Sequence, residues 1–127
     1  MSATPFEVLG GEAAVRRLVE RFYALMDTLP EAWPARRIHP DDLSAARQKL
    51  FEYFCGWLGG PPLYETRHGP PRMRARHMPF SIGAAERDAW LLCMAQAFEE
   101  TLPAGHERDA FWQRVTGLAD WMRNRED

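Results

Sequence analysis

The chain has 127 residues, of which 46% are hydrophobic, 12% aromatic and 27% charged; this is enough apolar material for one packed core and too little charge imbalance for disorder. A formal net charge of −2 provides no global basic field, which sets nucleic-acid binding aside. No apolar run approaches the roughly 20 residues that a bilayer span needs, which sets a membrane role aside as well.

Residues 1–127 are expected to form a single domain. The first ten residues lack the basic-then-apolar order of a signal peptide, so a cytoplasmic location is expected. From Glu12 to Leu29 the apolar residues Val15, Leu18, Val19, Phe22, Leu25, Met26 and Leu29 recur at three- and four-residue intervals, the stripe of an amphipathic helix that Pro30 ends. An irregular stretch runs from Glu31 to Pro40. Pro40-Asp41-Asp42 then offers a helix start with acidic capping chemistry, followed by a second stripe of Leu43, Ala46, Leu50, Phe54, Trp57 and Leu58. Gly59-Gly60-Pro61-Pro62 stops that helix. From Gly59 to Phe80 there are five prolines and three glycines in 22 residues, so no long helix fits there. Loops of this length inside a compact domain tend to be functional. Ala85 to Leu102 makes a third helix, closed by Pro103. A fourth runs from Glu107 to Arg123 with Phe111, Trp112, Val115, Leu118, Ala119 and Met122 on one face. No two-residue alternation occurs, so the class is all-α.

The 59–80 loop concentrates positive charge: Arg67, His68, Arg72, Arg74, Arg76 and His77 occur with no acid between Glu65 and Glu86. A solvated basic loop, a phosphate-binding face and an anchor for a small buried anion are three readings of this pattern. Arginine suits the last, because its planar fork holds carboxylate or phosphate in fixed geometry. The four histidines match no zinc spacing. Cys55 and Cys93 each fall within an apolar helical pattern and are expected to be reduced, buried thiols. No nucleophile elbow, phosphate-binding glycine loop or carboxylate pair is present. The residues alone lead to a helical domain with a candidate ligand cavity.

Several segments together resemble the truncated haemoglobins of the second group. They are Phe6-Glu7 through Gly10-Gly11, Arg21-Phe22-Tyr23, Trp57-Leu58-Gly59-Gly60-Pro61, Arg74-Ala75-Arg76-His77-Met78-Pro79-Phe80, and Glu86-Arg87-Asp88-Ala89-Trp90-Leu91-Leu92-Cys93-Met94. The resemblance covers nearly the whole chain. It implies a globin-like two-over-two helical sandwich with an irregular proximal loop, enclosing haem b (iron protoporphyrin IX). It implies His77 as the proximal iron ligand, and Arg74, Arg76 and Tyr64 as partners of the haem propionates. On the distal side it implies Tyr23 and Trp90 as hydrogen-bond donors, with His39 at a position where the family often has tyrosine or phenylalanine. Leu50 and Phe54 are placed on the haem face, Phe80 beside the proximal histidine, and the small Ala46 at a distal gate.

The implied function is reversible binding of dioxygen, carbon monoxide and nitric oxide. Slow release of oxygen would favour sensing, or nitric oxide and peroxide chemistry with an unknown reductase, over bulk transport. A competing reading is a haem-free helical interaction module that binds an anionic partner through the arginine-rich loop. A further one has His39 or Tyr23 coordinating iron when no ligand is present. Trp112 and Trp121 fit either intramolecular packing or a subunit contact, so monomer and homodimer both stay open.

Overall fold

The computed structural model describes residues 3–126. Helix α1, Pro5–Leu9, opens with a reciprocal cap in which Thr4 Oγ1 accepts the Glu7 N–H at 3.2 Å and the Glu7 carboxylate faces the Thr4 N–H at 3.5 Å. Gly10, at φ +114°, turns the chain directly into α2, Gly11–Thr28. That backbone angle strains any side chain, and a Cβ there would lie 2.9 Å from the Ala14 Cβ. The α2 stripe is buried throughout, from Ala14 and Val15 to Leu25 and Met26.

Pro30 ends α2 as expected. The 31–40 stretch is less irregular than its composition implies: a 3₁₀ turn, Pro30–Ala32, leads into a single helical turn, α3, Trp33–Arg36. Both have proline in their first turn, where its missing N–H costs nothing. Helix α4, Ser44–Trp57, starts later than Pro40, with Leu43 at its N-cap position and no side-chain cap there; one residue earlier the Asp42 carboxylate accepts the Ser44 N–H at 2.9 Å.

The 59–80 segment also differs from a continuous loop. It contains α5, Leu63–His68, and α6, Met73–His77. The Gly and Pro clusters bound these short helices instead of preventing them. At the turn after α4, a Cβ on Gly60 would come within 2.7 Å of the Phe6 ring, so glycine there lets α1 pack against the end of α4. The Phe6 N–H also reaches the Leu58 carbonyl at 2.9 Å.

Helix α7, Ala84–Thr101, begins where the Glu86 carboxylate accepts the Gly83 N–H at 2.7 Å. Helix α8, His106–Trp121, stops two residues before the expected Arg123 because the tail turns back onto Ile82, whose carbonyl accepts the Asn124 N–H at 2.8 Å. Helix α2 packs on both α4 and α7, and α7 packs on α8. These four form the two-over-two sandwich, and no strand occurs among the described residues. Ala89, Cys93 and Ala97 give α7 a narrow buried face that lets α2 lie close. Phe54, Phe98 and Phe111 pack ring to ring between α4, α7 and α8, with centroids 5.1 Å and 4.8 Å apart. Trp112 joins that cluster through Phe98, whereas Trp121 is exposed beneath the Arg74 guanidinium. Both cysteines are buried and reduced. No described helix is long and apolar enough to cross a membrane.

Candidate functional site

A cleft enclosing about 720 Å³, including its open mouth, lies where the sandwich meets α3 and α6. Its mostly apolar walls, with a few polar groups converging on them, are typical of cofactor and ligand sites. The walls come from Tyr23 on α2, Ala35 on α3 with Ile38 and His39 just beyond it, and Leu50 on α4. Met73 and His77 come from α6, Ile82, Glu86, Arg87 and Trp90 from the start of α7, and Leu118, Ala119 and Met122 from the end of α8.

The two histidines are held alike. His77 Nδ1 lies 2.7 Å from the Met73 carbonyl, and His39 Nδ1 lies 2.8 Å from the Ala35 carbonyl. A carbonyl oxygen can only accept, so each Nδ1 carries a proton, and in the neutral form of either ring the lone pair is on Nε2. For His77 this is the arrangement that suits a metal-ligating imidazole. Burial lowers the His39 pKa; the Ala35 carbonyl opposes that, while Arg36 and His77 add to it. His39 is therefore neutral near pH 7 and presents an acceptor to the cleft.

Tyr23 is buried, and burial raises its pKa above the ordinary phenol value, outweighing the opposing charge of Arg47. Its hydroxyl remains a donor across the working pH range. The Phe22 ring stands edge-on to both Tyr23 and Trp90, with centroids 4.8 Å and 5.1 Å away, and fixes the spacing of the two donors. Tyr23 and His39 lie 6.0 Å apart between centroids.

Tyr23, His39, Leu50, His77 and Trp90 are thus brought together at the cleft. The other expected site residues are elsewhere. Phe54 is fully buried in the core, stacked on Trp57 and edge-on to Phe111. Tyr64 is buried beside Tyr53 and His68. Arg74 Nε donates to the Trp121 carbonyl at 3.1 Å, and Arg76 Nε donates to the Pro71 carbonyl at 2.7 Å. Phe80 is exposed, 6.4 Å from the His77 ring between centroids.

The sequence reading missed Glu86 as a wall of the cleft, although it lies in a motif already singled out. Its buried carboxylate accepts the Gly83 N–H and ion pairs with Arg125 and Arg37, at 2.8 Å and 3.4 Å. The Gly83 bond and these cations outweigh burial and hold its pKa below the usual carboxylate range. Leu118, Ala119 and Met122 were legible only as a helix stripe. Arg72, just before α6, has φ +43°; a left-handed non-glycine residue is costly and tends to persist only where its surroundings enforce it.

The bacterial-like globin family matches residues 4–124. Group 2 truncated haemoglobin YjbI of Bacillus subtilis is 37% identical over 97% of this chain and 90% of its own length. Among solved structures, the group II 2-on-2 haemoglobin of the plant pathogen Agrobacterium tumefaciens is 50% identical. It superposes with a TM-score of 0.96, covering 98% of this chain and 97% of that one. A truncated oxygen-avid haemoglobin of B. subtilis is 36% identical with a TM-score of 0.88, over 96% of this chain and 100% of that one. The chain belongs to the bacterial-like globin family, as a truncated haemoglobin of group II. Its two-over-two sandwich is that of haem-binding globins.

Proposed function

We propose that the cleft holds one haem b, with His77 as its proximal iron ligand, and that the protein reversibly binds dioxygen, carbon monoxide and nitric oxide. The observation that carries this is the 2.7 Å contact of His77 Nδ1 with the Met73 carbonyl, which leaves Nε2 as a free lone pair on the wall of an apolar cleft. The residues present fit the group: an imidazole in the ligating tautomer, apolar walls from Leu50, Met73, Ile82, Leu118 and Met122, and two hydrogen-bond donors, the buried Tyr23 and the partly buried Trp90.

Haem, when bound, supplies a ferrous iron with an open coordination position for a diatomic gas. The protein orients the His77 ring through Met73, which removes one source of disorder from the ligand. Tyr23 and Trp90 offer an O–H and an N–H toward the distal space. His39 donates there only when protonated, since its Nδ1–H is committed to Ala35. Leu50 and Phe80 are assigned to the apolar faces of the group and Ala46 to the distal gate, whereas Phe54, packed in the core against Trp57 and Phe111, is not. Tyr64, Arg74 and Arg76 are assigned to its propionates. Each arginine turns Nε and, at 3.5 Å, Nη2 toward backbone carbonyls, which leaves its Nη1 N–H groups for carboxylates.

Two donors acting on an acceptor with partial negative charge, in a mostly apolar cleft, slow the release of dioxygen. The similarity to a haemoglobin described as oxygen-avid supports this reading. Slow release fits sensing, or nitric oxide or peroxide chemistry with electrons from a reductase, better than oxygen transport. The test is to expose the reduced, haem-loaded protein in turn to carbon monoxide and dioxygen and record the visible spectrum. Reversible changes with both gases are expected, and an unchanged spectrum with both overturns the proposal.

A further inference from the structure

The helix that carries His77 has no buried residue of its own. A five-residue helix without an apolar anchor opens easily unless something else holds it. Its anchors here are polar, and the carboxyl-terminal tail supplies many of them. The Trp121 carbonyl accepts Arg74 Nε, and the Arg123 carbonyl faces the same guanidinium at 3.5 Å.

Asn124 makes the central contact. Its Nδ2 donates to the Phe80 carbonyl at 2.7 Å and to the carbonyl of His77 itself at 3.4 Å. Its Oδ1 accepts the Ile82 N–H at 2.8 Å, and its own N–H donates to the Ile82 carbonyl at 2.8 Å. One side chain thus closes the segment between α6 and α7 at three backbone groups. The next residue, Arg125, extends the clamp to Glu86 on the cleft wall at 2.8 Å. His77 is therefore held at two points: its ring by Met73 at Nδ1, and its backbone by Asn124 at the carbonyl.

We infer that Asn124 is a positioning residue for His77, and that the carboxyl-terminal tail is a strap that sets the seat of α6 and so the retention of haem. The inference rests on the reading of His77 as the iron ligand. Partners that orient a metal ligand typically change metal retention by 10-fold or more when removed. Losing all three side-chain bonds at Asn124 is expected to speed haem loss on the order of 10-fold.

The experiment uses the haem-loaded full chain with Asn124→Ala, Asn124→Asp and, as a control, Arg114→Ala, which removes a tie from α8 to the Trp57 carbonyl. Two readouts are taken: the rate of haemin transfer to excess apomyoglobin, and the iron–imidazole stretching band of the ferrous, gas-free protein. Circular dichroism checks that the helices persist. Asn124→Ala should accelerate transfer and shift or broaden the band. Asn124→Asp should do the same, because a carboxylate keeps the acceptor for Ile82 but cannot donate to the two carbonyls. Arg114→Ala should alter neither. Wild-type band and transfer rate in both Asn124 variants, with the band still lost in His77→Ala, would overturn the inference alone. A wild-type protein without an iron–imidazole band would overturn the His77 assignment and the inference with it.

Discussion

Replacing Tyr23 by phenylalanine removes one oxygen atom and tests the distal arrangement with little other disturbance. Tyr23 is only 4% exposed, and its ring is fixed by the edge-on contact with Phe22, so phenylalanine fits the same space. The phenol is protonated throughout the neutral range because burial raises its pKa, and the variant therefore loses a donor and no charge. A hydrogen bond to a charged acceptor contributes about 1.5–3 kcal/mol, and each 1.4 kcal/mol is about tenfold in a rate. Dioxygen should accordingly leave the variant roughly 10- to 150-fold faster than the wild type. Carbon monoxide, which carries little charge when bound, should leave at nearly the wild-type rate. Rapid mixing of the dioxygen-saturated protein with carbon monoxide measures the first rate, and displacement of carbon monoxide by nitric oxide the second. Equal changes for both gases would show that the substitution acts through packing. An unchanged dioxygen rate would place the Tyr23 hydroxyl outside the distal hydrogen bonding and refute the reasoning.

Other expectations concern the frame around the site. Glu52 is fully buried on α4 and receives Arg67 at 2.8 Å, His68 at 3.0 Å and Gln48 at 3.2 Å. Burial raises its pKa, but these partners together outweigh that and hold it below the usual carboxylate range. Its contribution is thus complete above the ordinary glutamate pKa and is lost as the pH falls through the lower folded value. Glu52→Ala should cost about 2 kcal/mol at pH 7, given the partial exposure of its partners; chemical denaturation should show the variant and wild type converging in acid. Gly60→Ala must displace the Phe6 ring, whose nearest atoms would lie 2.7 Å from the new methyl group. Overpacking of this kind costs about 1–3 kcal/mol, which thermal melting will register. Burial raises the pKa of each thiol, Cys55 and Cys93, to about 11. Neither should react with a disulfide reagent at pH 8 until denaturant opens the core.

How much could be read from the sequence depended on the length over which a signal accumulates. The α2 and α7 stripes repeat over several turns, and both helices lie within one residue of the expected ends. Helices α5 and α6 are too short for a stripe, and the adjoining Pro and Gly residues, which cap and bound them, read equally well as a loop. Tyr23, His77 and Trp90 could be assigned to one site because each belongs to a segment resembling a known family; His39 lies outside those segments, in the 31–40 stretch, and was placed only by the overall family pattern. Phe54 shares the α4 stripe with Leu50 but lies one turn further on, where Phe111 and Trp57 cover it. A periodic pattern marks both as inward and cannot say which of two interiors they face. The tautomer of His39 depends on the Ala35 carbonyl offered by a single helical turn, and the role of Asn124 on a chain reversal. Neither leaves a mark on composition or spacing.

The central claim is that His77 binds the iron of a haem held in this cleft, and titration of haemin into the purified protein and its His77→Ala variant tests it most directly. The wild type is predicted to take up one equivalent and, once reduced under argon, to show the spectrum of ferrous haem ligated by a single imidazole. The variant should lose that spectrum and regain it when free imidazole is added. No stoichiometric uptake by the wild type, or an identical ferrous spectrum in the variant without imidazole, would contradict the account.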